Sequence, residues 1–153
     1  MDMIVTFPGN LRVAAEYKGF TIETDQPQDE EGDGSAPAPF DLFLASLATC
    51  AGVYMLQFLR KRRLPVEGAS LIMRTEKDER TRMITNVVLN LHLPPSFPEK
   101  YREAIVHAVN LCAVKKHLLK PPEIAVITTI PGQDDASTHP WPDIGPDAPQ
   151  ALP

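Results

Sequence analysis

The chain has 153 residues, a formal net charge of −5 and two cysteines. This length fits one domain with a single core. The mild acidity argues against a nucleic-acid partner, which requires a basic surface, and two cysteines are too few for a disulfide-rich scaffold.

The N-terminal part predicts β-strands. Apolar and polar residues alternate over 11–17, Lys18-Gly19 offers a turn, and the alternation resumes over 20–22. A short strand over 4–7 is expected to precede this hairpin. Residues 25–39 are acidic and rich in Gly and Pro, which predicts a loop.

A long apolar helix is predicted from Pro39 to about Arg62, because proline suits an early helical position and Leu64-Pro65 ends the pattern. The stretch 42–59 is almost continuously apolar and precedes four basic residues, so it imitates a membrane span. It is shorter than the roughly 20 residues that a bilayer requires, and strand patterns typical of a soluble core follow. We therefore expect no membrane association.

A second hairpin and a second helix are expected after the first helix. Alternation over 69–73 and 83–93 predicts two strands joined by a charged turn at 77–80. Ser96 and Glu99 form a capping-box pattern, from which one helix is predicted to continue through Cys112 until Pro121-Pro122. The β-branched segment 124–130 predicts a final strand. This order of elements indicates an α+β fold with antiparallel pairing.

The first helix also predicts self-association. It is apolar nearly all round, so it must be covered on every side, whereas a single sheet covers only one. Small residues between Ala45 and Gly52 would let another helix approach closely. A symmetric dimer is the commonest way to supply that helix. We therefore expect a homodimer with this helix near its centre.

The two cysteines, Cys50 and Cys112, are the strongest functional signal. Each lies within an apolar helical stretch, and the two could meet across a helix–helix contact. Burial raises a thiol pKa, so a reactive Cys50 needs a cation from another segment, with Arg12, Arg74 and Arg82 as candidates. The alternative is that both thiols only fill apolar space. No Cys-x-x-Cys motif or histidine pair at ligand spacing indicates a metal.

The residues around the two cysteines resemble those of a known protein family. The stretch APFDLFLASLATCAG at 38–52, together with LCAVK at 111–115, resembles the OsmC/Ohr superfamily of osmotically induced and organic-hydroperoxide-resistance proteins. The likeness covers roughly residues 8–130. It implies a single OsmC-like domain at 1–131 with a Pro-rich tail at 132–153. It also implies an intertwined homodimer in which antiparallel sheets wrap around two central helices.

The resemblance further implies a thiol peroxidase without metal or cofactor. By family analogy Cys50 is the peroxidatic cysteine and Cys112 the resolving cysteine. Arg12 matches the family's thiolate-binding arginine, and Asp41 matches the carboxylate that orients it. The expected substrate is a small organic hydroperoxide. The expected reductant is a dithiol, for which a lipoylated protein is a candidate by the same analogy.

Two other functions stay open. The hydroperoxide-specific branch typically has Asn-Pro-Glu where this chain has Ala38-Pro39-Phe40. This difference favours a binding protein on the same scaffold, with an apolar ligand at the dimer interface and cysteines that only pack. Sulfur transfer or redox sensing is the third possibility. The early acid and the lack of a basic flank at the N-terminus do not resemble a secretion signal, so we expect a cytoplasmic protein.

Overall fold

The computed structural model describes residues 2–130. Two antiparallel sheets and three helices alternate along the chain, which confirms the α+β class. The elements are β1 (Ile4–Gly9), β2 (Arg12–Tyr17), β3 (Phe20–Thr24), α1 (Pro39–Lys61), β4 (Ser70–Lys77), β5 (Ile84–His92), α2 (Arg102–Asn110) and α3 (Ala113–Leu119).

The first sheet has the strand order β1-β2-β3. Strands β2 and β3 pair from Val13 opposite Thr24 to Tyr17 opposite Phe20. Lys18 and Gly19 connect them with φ angles of 51° and 80°. Positive φ at both central residues gives a turn whose twist matches that of paired strands, and this confirms the predicted hairpin.

A buried carboxylate closes the loop between β3 and α1. Asp25 accepts hydrogen bonds from the Ser35 N–H at 2.9 Å, the Ser35 hydroxyl at 2.7 Å and the Gln26 N–H at 2.8 Å. The bonds from Ser35 are the main cause of the lowered pKa of Asp25. A Cβ at Gly32 would lie 1.9 Å from the Gln26 carbonyl oxygen, so the loop requires glycine there. This loop sets where α1 begins.

Helix α1 begins as its sequence predicts. Pro39 occupies the first turn, and the Asp41 carboxylate accepts a hydrogen bond from the Ala38 N–H at 3.1 Å. One side of the helix carries a buried stripe consisting of Leu47, Ala51, Met55, Phe58 and Leu59. From Ala51 onward this stripe packs with Ile105 and Val109 of α2 to form the core, which apolar residues of the second sheet flank.

The opposite side of α1 is exposed. We call it the exposed stripe, and it consists of Ala45, Ser46, Thr49, Val53 and Gln57. In length and composition α1 would also suit a membrane span, with a mean hydropathy of 1.8 and only 28% of its most apolar window buried. Core helices of soluble proteins often have the same length and hydropathy, so these two properties alone do not indicate a membrane span. The polar members of the stripe fit contact with protein better than contact with lipid.

The second sheet is the predicted hairpin of β4 and β5, paired from Ser70 opposite His92 to Lys77 opposite Ile84. Asp78 organises the connecting turn, since its carboxylate accepts hydrogen bonds from the Arg80 N–H at 3.1 Å and the Thr81 N–H at 2.7 Å. The turn is therefore held by hydrogen bonds from its own backbone to the Asp78 side chain.

Two predictions about the second helix are wrong. The single second helix is interrupted at Leu111 and Cys112, which separate α2 from α3. The capping box at Ser96 and Glu99 does not form; residues 99–101 make a 3₁₀ turn without a side-chain cap, and Glu99 pairs with Arg102 at 3.2 Å. Three prolines among residues 94–98 hold the chain out of a helix until that turn.

Residues 120–130 belong to a unit separate from the one that ends at Leu119, and they contain neither helix nor strand. The predicted final strand at 124–130 is therefore wrong for the described chain. A strand requires a neighbouring ladder for its N–H and C=O groups, and β-branched composition alone does not supply one. The single domain at 1–131 stays a prediction, and the tail at 132–153 lies outside the described residues.

Candidate active site

The structure brings the two cysteines together. Cys50 lies half-buried on the flank of α1, between the buried and the exposed stripes. Cys112 is fully buried at the junction of α2 and α3, with 0% of its surface exposed. Both are free thiols, and each is among the groups that shift the pKa of the other. Residues 62 positions apart in sequence thus form one sulfur pair.

The break between α2 and α3 creates this geometry. Leu111 and Cys112 donate their N–H groups three residues back, to Ala108 and Val109, each at 3.1 Å, which tightens the end of α2. The Cys112 carbonyl then accepts the Lys116 N–H at 3.0 Å and begins α3. A new first turn has free N–H groups, because helical hydrogen bonds leave them without an internal partner.

Those free groups bind the sulfur of Cys50. Burial acts to raise the pKa of Cys50, but hydrogen bonds from the Val114 N–H, the Cys112 thiol and the Ala113 N–H outweigh it. The pKa of Cys50 therefore lies below its ordinary value. Hydrogen bonds to the charged form of a group favour that form, so the Cys50 thiolate is stabilised by backbone dipoles from α3.

The pKa of Cys112 is shifted in the opposite direction, above its ordinary value. Burial raises the pKa of Cys112, and the neighbouring sulfur of Cys50 raises it further, although the Lys115 N–H opposes this. The two thiols are thus chemically unequal, because the pKa of Cys50 is lowered and that of Cys112 is raised.

The predicted charged partners are located elsewhere. Arg12 lies exposed at the start of β2, and the Asp41 carboxylate is engaged with the N–H of Ala38. Neither group is among those that shift the pKa of Cys50, and no ion pair joins them within the described residues. Their assigned roles stay predictions. Among residues 2–130 the groups that lower the pKa of Cys50 are N–H groups and the Cys112 thiol, and none of them is a cation.

Sequence reasoning missed Ala113 and Val114, whose side chains carry no chemistry. Their contribution comes from the backbone, so residue type could not reveal it. A faint signal was Asn110, which is a poor residue for a helix interior and is common near helix ends. Its side-chain oxygen accepts a hydrogen bond from Lys115 at 2.5 Å, bridging the break.

We expect Ala113→Pro to slow the reaction of Cys50 with iodoacetamide about tenfold at pH 7, because a charge-assisted hydrogen bond to the thiolate is lost. Proline is tolerated at the first position of a helix, so the substitution removes the donor with little change in fold. The pH profile of alkylation should move to higher pH. Ala113→Gly keeps the N–H and should react like the parent protein; equal rates for all three proteins would contradict this role.

A protein-family model described as OsmC-like protein matches residues 32–127. None of the curated proteins matches the sequence.

Three solved structures illustrate the similarity. A protein of Psychrobacter arcticus 273-4, named for osmotic stress induction and the detoxification response, has 25% identity and a TM-score of 0.63, covering 74% of this chain and 85% of that chain. An OsmC-like protein of Mycoplasma pneumoniae has 14% identity and a TM-score of 0.61, covering 77% and 86%. An organic hydroperoxide resistance protein OsmC of Legionella pneumophila has 16% identity and a TM-score of 0.50, covering 77% and 89%. At 14% and 16% identity the likeness concerns the fold alone.

Proposed function

The chain belongs to the OsmC-like protein family, and from this premise we propose that it is a thiol peroxidase that reduces organic hydroperoxides, with Cys50 peroxidatic and Cys112 resolving. The observation that carries the proposal is the pairing of two free thiols that shift each other's pKa, with the pKa of Cys50 lowered and that of Cys112 raised. The Legionella pneumophila protein of similar fold is named for organic hydroperoxide resistance, which is consistent with the proposed activity.

The proposed reaction has three steps. The Cys50 thiolate attacks the outer oxygen of the hydroperoxide, the O–O bond breaks, and the departing alkoxide takes a proton from solvent to give an alcohol. The resulting Cys50 sulfenic acid then reacts with the Cys112 thiol, forming an S–S bond and releasing water. A dithiol reductant finally exchanges with this disulfide, becomes oxidised and restores both thiols. A lipoylated protein is a candidate for that dithiol.

Each step uses a feature of the described site. The N–H groups of Ala113 and Val114 hold Cys50 as the thiolate that attack requires. The Cys112 thiol lies near enough to shift the pKa of Cys50, so the sulfenic acid has its partner thiol nearby. Neighbouring thiols form a disulfide once their side chains reach the required geometry.

The experiment is a single addition of cumene hydroperoxide. One equivalent is added to the fully reduced protein, and thiols and disulfides are mapped by mass spectrometry. We expect one Cys50–Cys112 disulfide and one equivalent of cumyl alcohol. Recovery of both free thiols together with unreacted hydroperoxide would contradict the proposed peroxidase activity. A denatured sample treated identically controls for the intrinsic reactivity of the cysteines.

We also propose that the protein is a homodimer through α1. The exposed stripe lies opposite the core, and its small residues allow close approach of a second helix. Large apolar side chains of the first sheet are exposed as well, including Phe7 at 80% and Phe20 at 72%. Apolar surface of this extent on a soluble chain is typical of an interface. A cytoplasmic location suits a cysteine pair that must be kept reducible.

A further inference from the structure

Helix α1 separates charges of opposite sign. No basic residue lies between Lys18 and Arg60, and no acidic residue lies between Asp41 and Glu67. The segment before the helix holds four exposed carboxylates, which we call the acidic loop: Asp29, Glu30, Glu31 and Asp33. The last turn of the helix and the two residues after it hold four exposed cations, which we call the basic end: Arg60, Lys61, Arg62 and Arg63. The helix is thus preceded by negative charge and followed by positive charge.

The two clusters are not neutralised within one protomer. Among residues 2–130 no ion pair involves either of them. Helix α1 has 23 residues and is therefore about 35 Å long, which keeps its two ends apart. The guanidinium of Arg62 lies 3.7 Å from the centre of the Phe58 ring, and the Asn10 side chain donates a hydrogen bond to Asp33 at 2.9 Å. Both clusters are therefore anchored to the fold and open to charge from another chain.

The exposed stripe determines which groups of a second copy lie near each cluster. The stripe extends from Ala45 to Gln57, so its midpoint is at about residue 51. In an antiparallel pair of helices with a two-fold axis at that midpoint, residues 60–63 face residues 39–42 of the other copy. Those residues form the first turn of α1, which follows the acidic loop and contains the Asp41 carboxylate. The basic end of each copy is then beside the acidic surface of the other.

A parallel arrangement gives the opposite result. It would place the basic end beside the basic end of the second copy, and the acidic loop beside its equivalent. Like charges at such contacts repel, and the two helix dipoles would point the same way. The antiparallel arrangement joins opposite charges twice, because an interface with two-fold symmetry repeats each contact.

We infer that α1 packs antiparallel against α1 of a second copy, with the basic end of each protomer held by the acidic loop of the other. The inference rests on the homodimer proposed above and adds its orientation and the charges that determine it. An anionic membrane would satisfy the basic end alone, whereas a second copy satisfies both clusters at once. Single exposed ion pairs are weak, but several pairs repeated by symmetry are sufficient to select one orientation.

The test measures the dissociation constant of the full-length protein by analytical ultracentrifugation at about 50 mM and about 300 mM salt, since salt screens exposed charges. Arg60→Glu with Lys61→Glu reverses charge at the basic end, and Asp29→Lys with Glu30→Lys reverses charge in the acidic loop. We expect each pair of substitutions to raise the dissociation constant about tenfold or more at low salt, and all four together to restore it to within a few-fold of the parent value.

Net charge alone predicts a different outcome for the acidic-loop variant. This variant changes the charge of the chain from −5 to −1, which would reduce general repulsion between protomers and strengthen association. Our inference predicts that association weakens. The matched control is Arg74→Glu with Arg80→Glu, which removes two exposed cations from β4 and the β4–β5 turn. It changes the net charge as much as the basic-end variant and should leave the dissociation constant within a few-fold of the parent value.

Circular dichroism shows whether each variant is folded, and the two reversals lie on different elements, so the acidic-loop variant still tests the contact if the basic-end variant unfolds. A dimer whose dissociation constant responds to neither reversal would keep the homodimer and reject the antiparallel charge pairing. Equal weakening by the control, or no recovery when all four substitutions are combined, would also reject it. A parent protein that is monomeric at micromolar concentration would reject the homodimer and this orientation together.

Discussion

Cys50→Ser is expected to lower kcat/KM for cumene hydroperoxide by about a thousandfold or more, because the reaction then lacks its nucleophile. A serine hydroxyl is not ionised by two backbone N–H groups, so the donors from Ala113 and Val114 cannot compensate. The measurement is steady-state consumption of the hydroperoxide with a dithiol reductant in excess. Turnover within a few-fold of the parent would remove Cys50 from the mechanism.

Cys112→Ser is the matched control, since it makes the same replacement of sulfur by oxygen at the other cysteine. We expect this variant to consume one equivalent of hydroperoxide and then stop, with Cys50 retained as a sulfenic acid that dimedone labels. The hydroxyl of serine still donates a hydrogen bond to Cys50 but cannot form a disulfide. If Cys112→Ser instead lost the first reaction and Cys50→Ser kept it, the two roles would have to be exchanged.

Val53→Arg is expected to convert the dimer to a monomer, raising the dissociation constant by about a thousandfold or more, because it buries an unpaired charge at the interface proposed above. Val53 is 48% exposed in the single chain, so arginine should cost little in folding of the isolated protomer. Size-exclusion chromatography with light scattering at micromolar concentration measures the mass directly.

Glu79→Arg places the same side chain at an exposed position in the β4–β5 turn and should leave the mass unchanged. Circular dichroism on both variants separates dissociation from unfolding. A parent protein that is already monomeric at this concentration would reject the dimer, and an unchanged mass for Val53→Arg would move the interface away from the exposed stripe.

Local patterns were sufficient for much of the fold. The alternation before the first loop predicts β2 and β3, because a strand with one buried face has a period of two. The start of α1 follows from Pro39, and the β4–β5 hairpin follows from two alternating runs and a charged turn. These elements are determined by interactions between residues close in sequence, which is why the residue order reveals them.

Other features depended on distant contacts. The segment 124–130 has strand composition but no described neighbour to pair with, so its propensity is not realised. Arg12 and Asp41 were assigned by family analogy, and in the single chain they lie apart from the groups that act on Cys50. The break at Leu111 interrupts a helical pattern that looks continuous, because tertiary packing of both helices on α1 overrides local propensity.

The sequence alone identified the two cysteines, their apolar setting, the α+β class and the family resemblance. It could not identify how Cys50 is activated, because that depends on the N–H groups of Ala113 and Val114, which are the same in every residue type except proline. Only the tertiary structure decided that α3 begins beside Cys50 and that Cys112 lies near enough to shift its pKa. A thiol pKa depends on the groups within a few ångströms, and folding determines which groups those are.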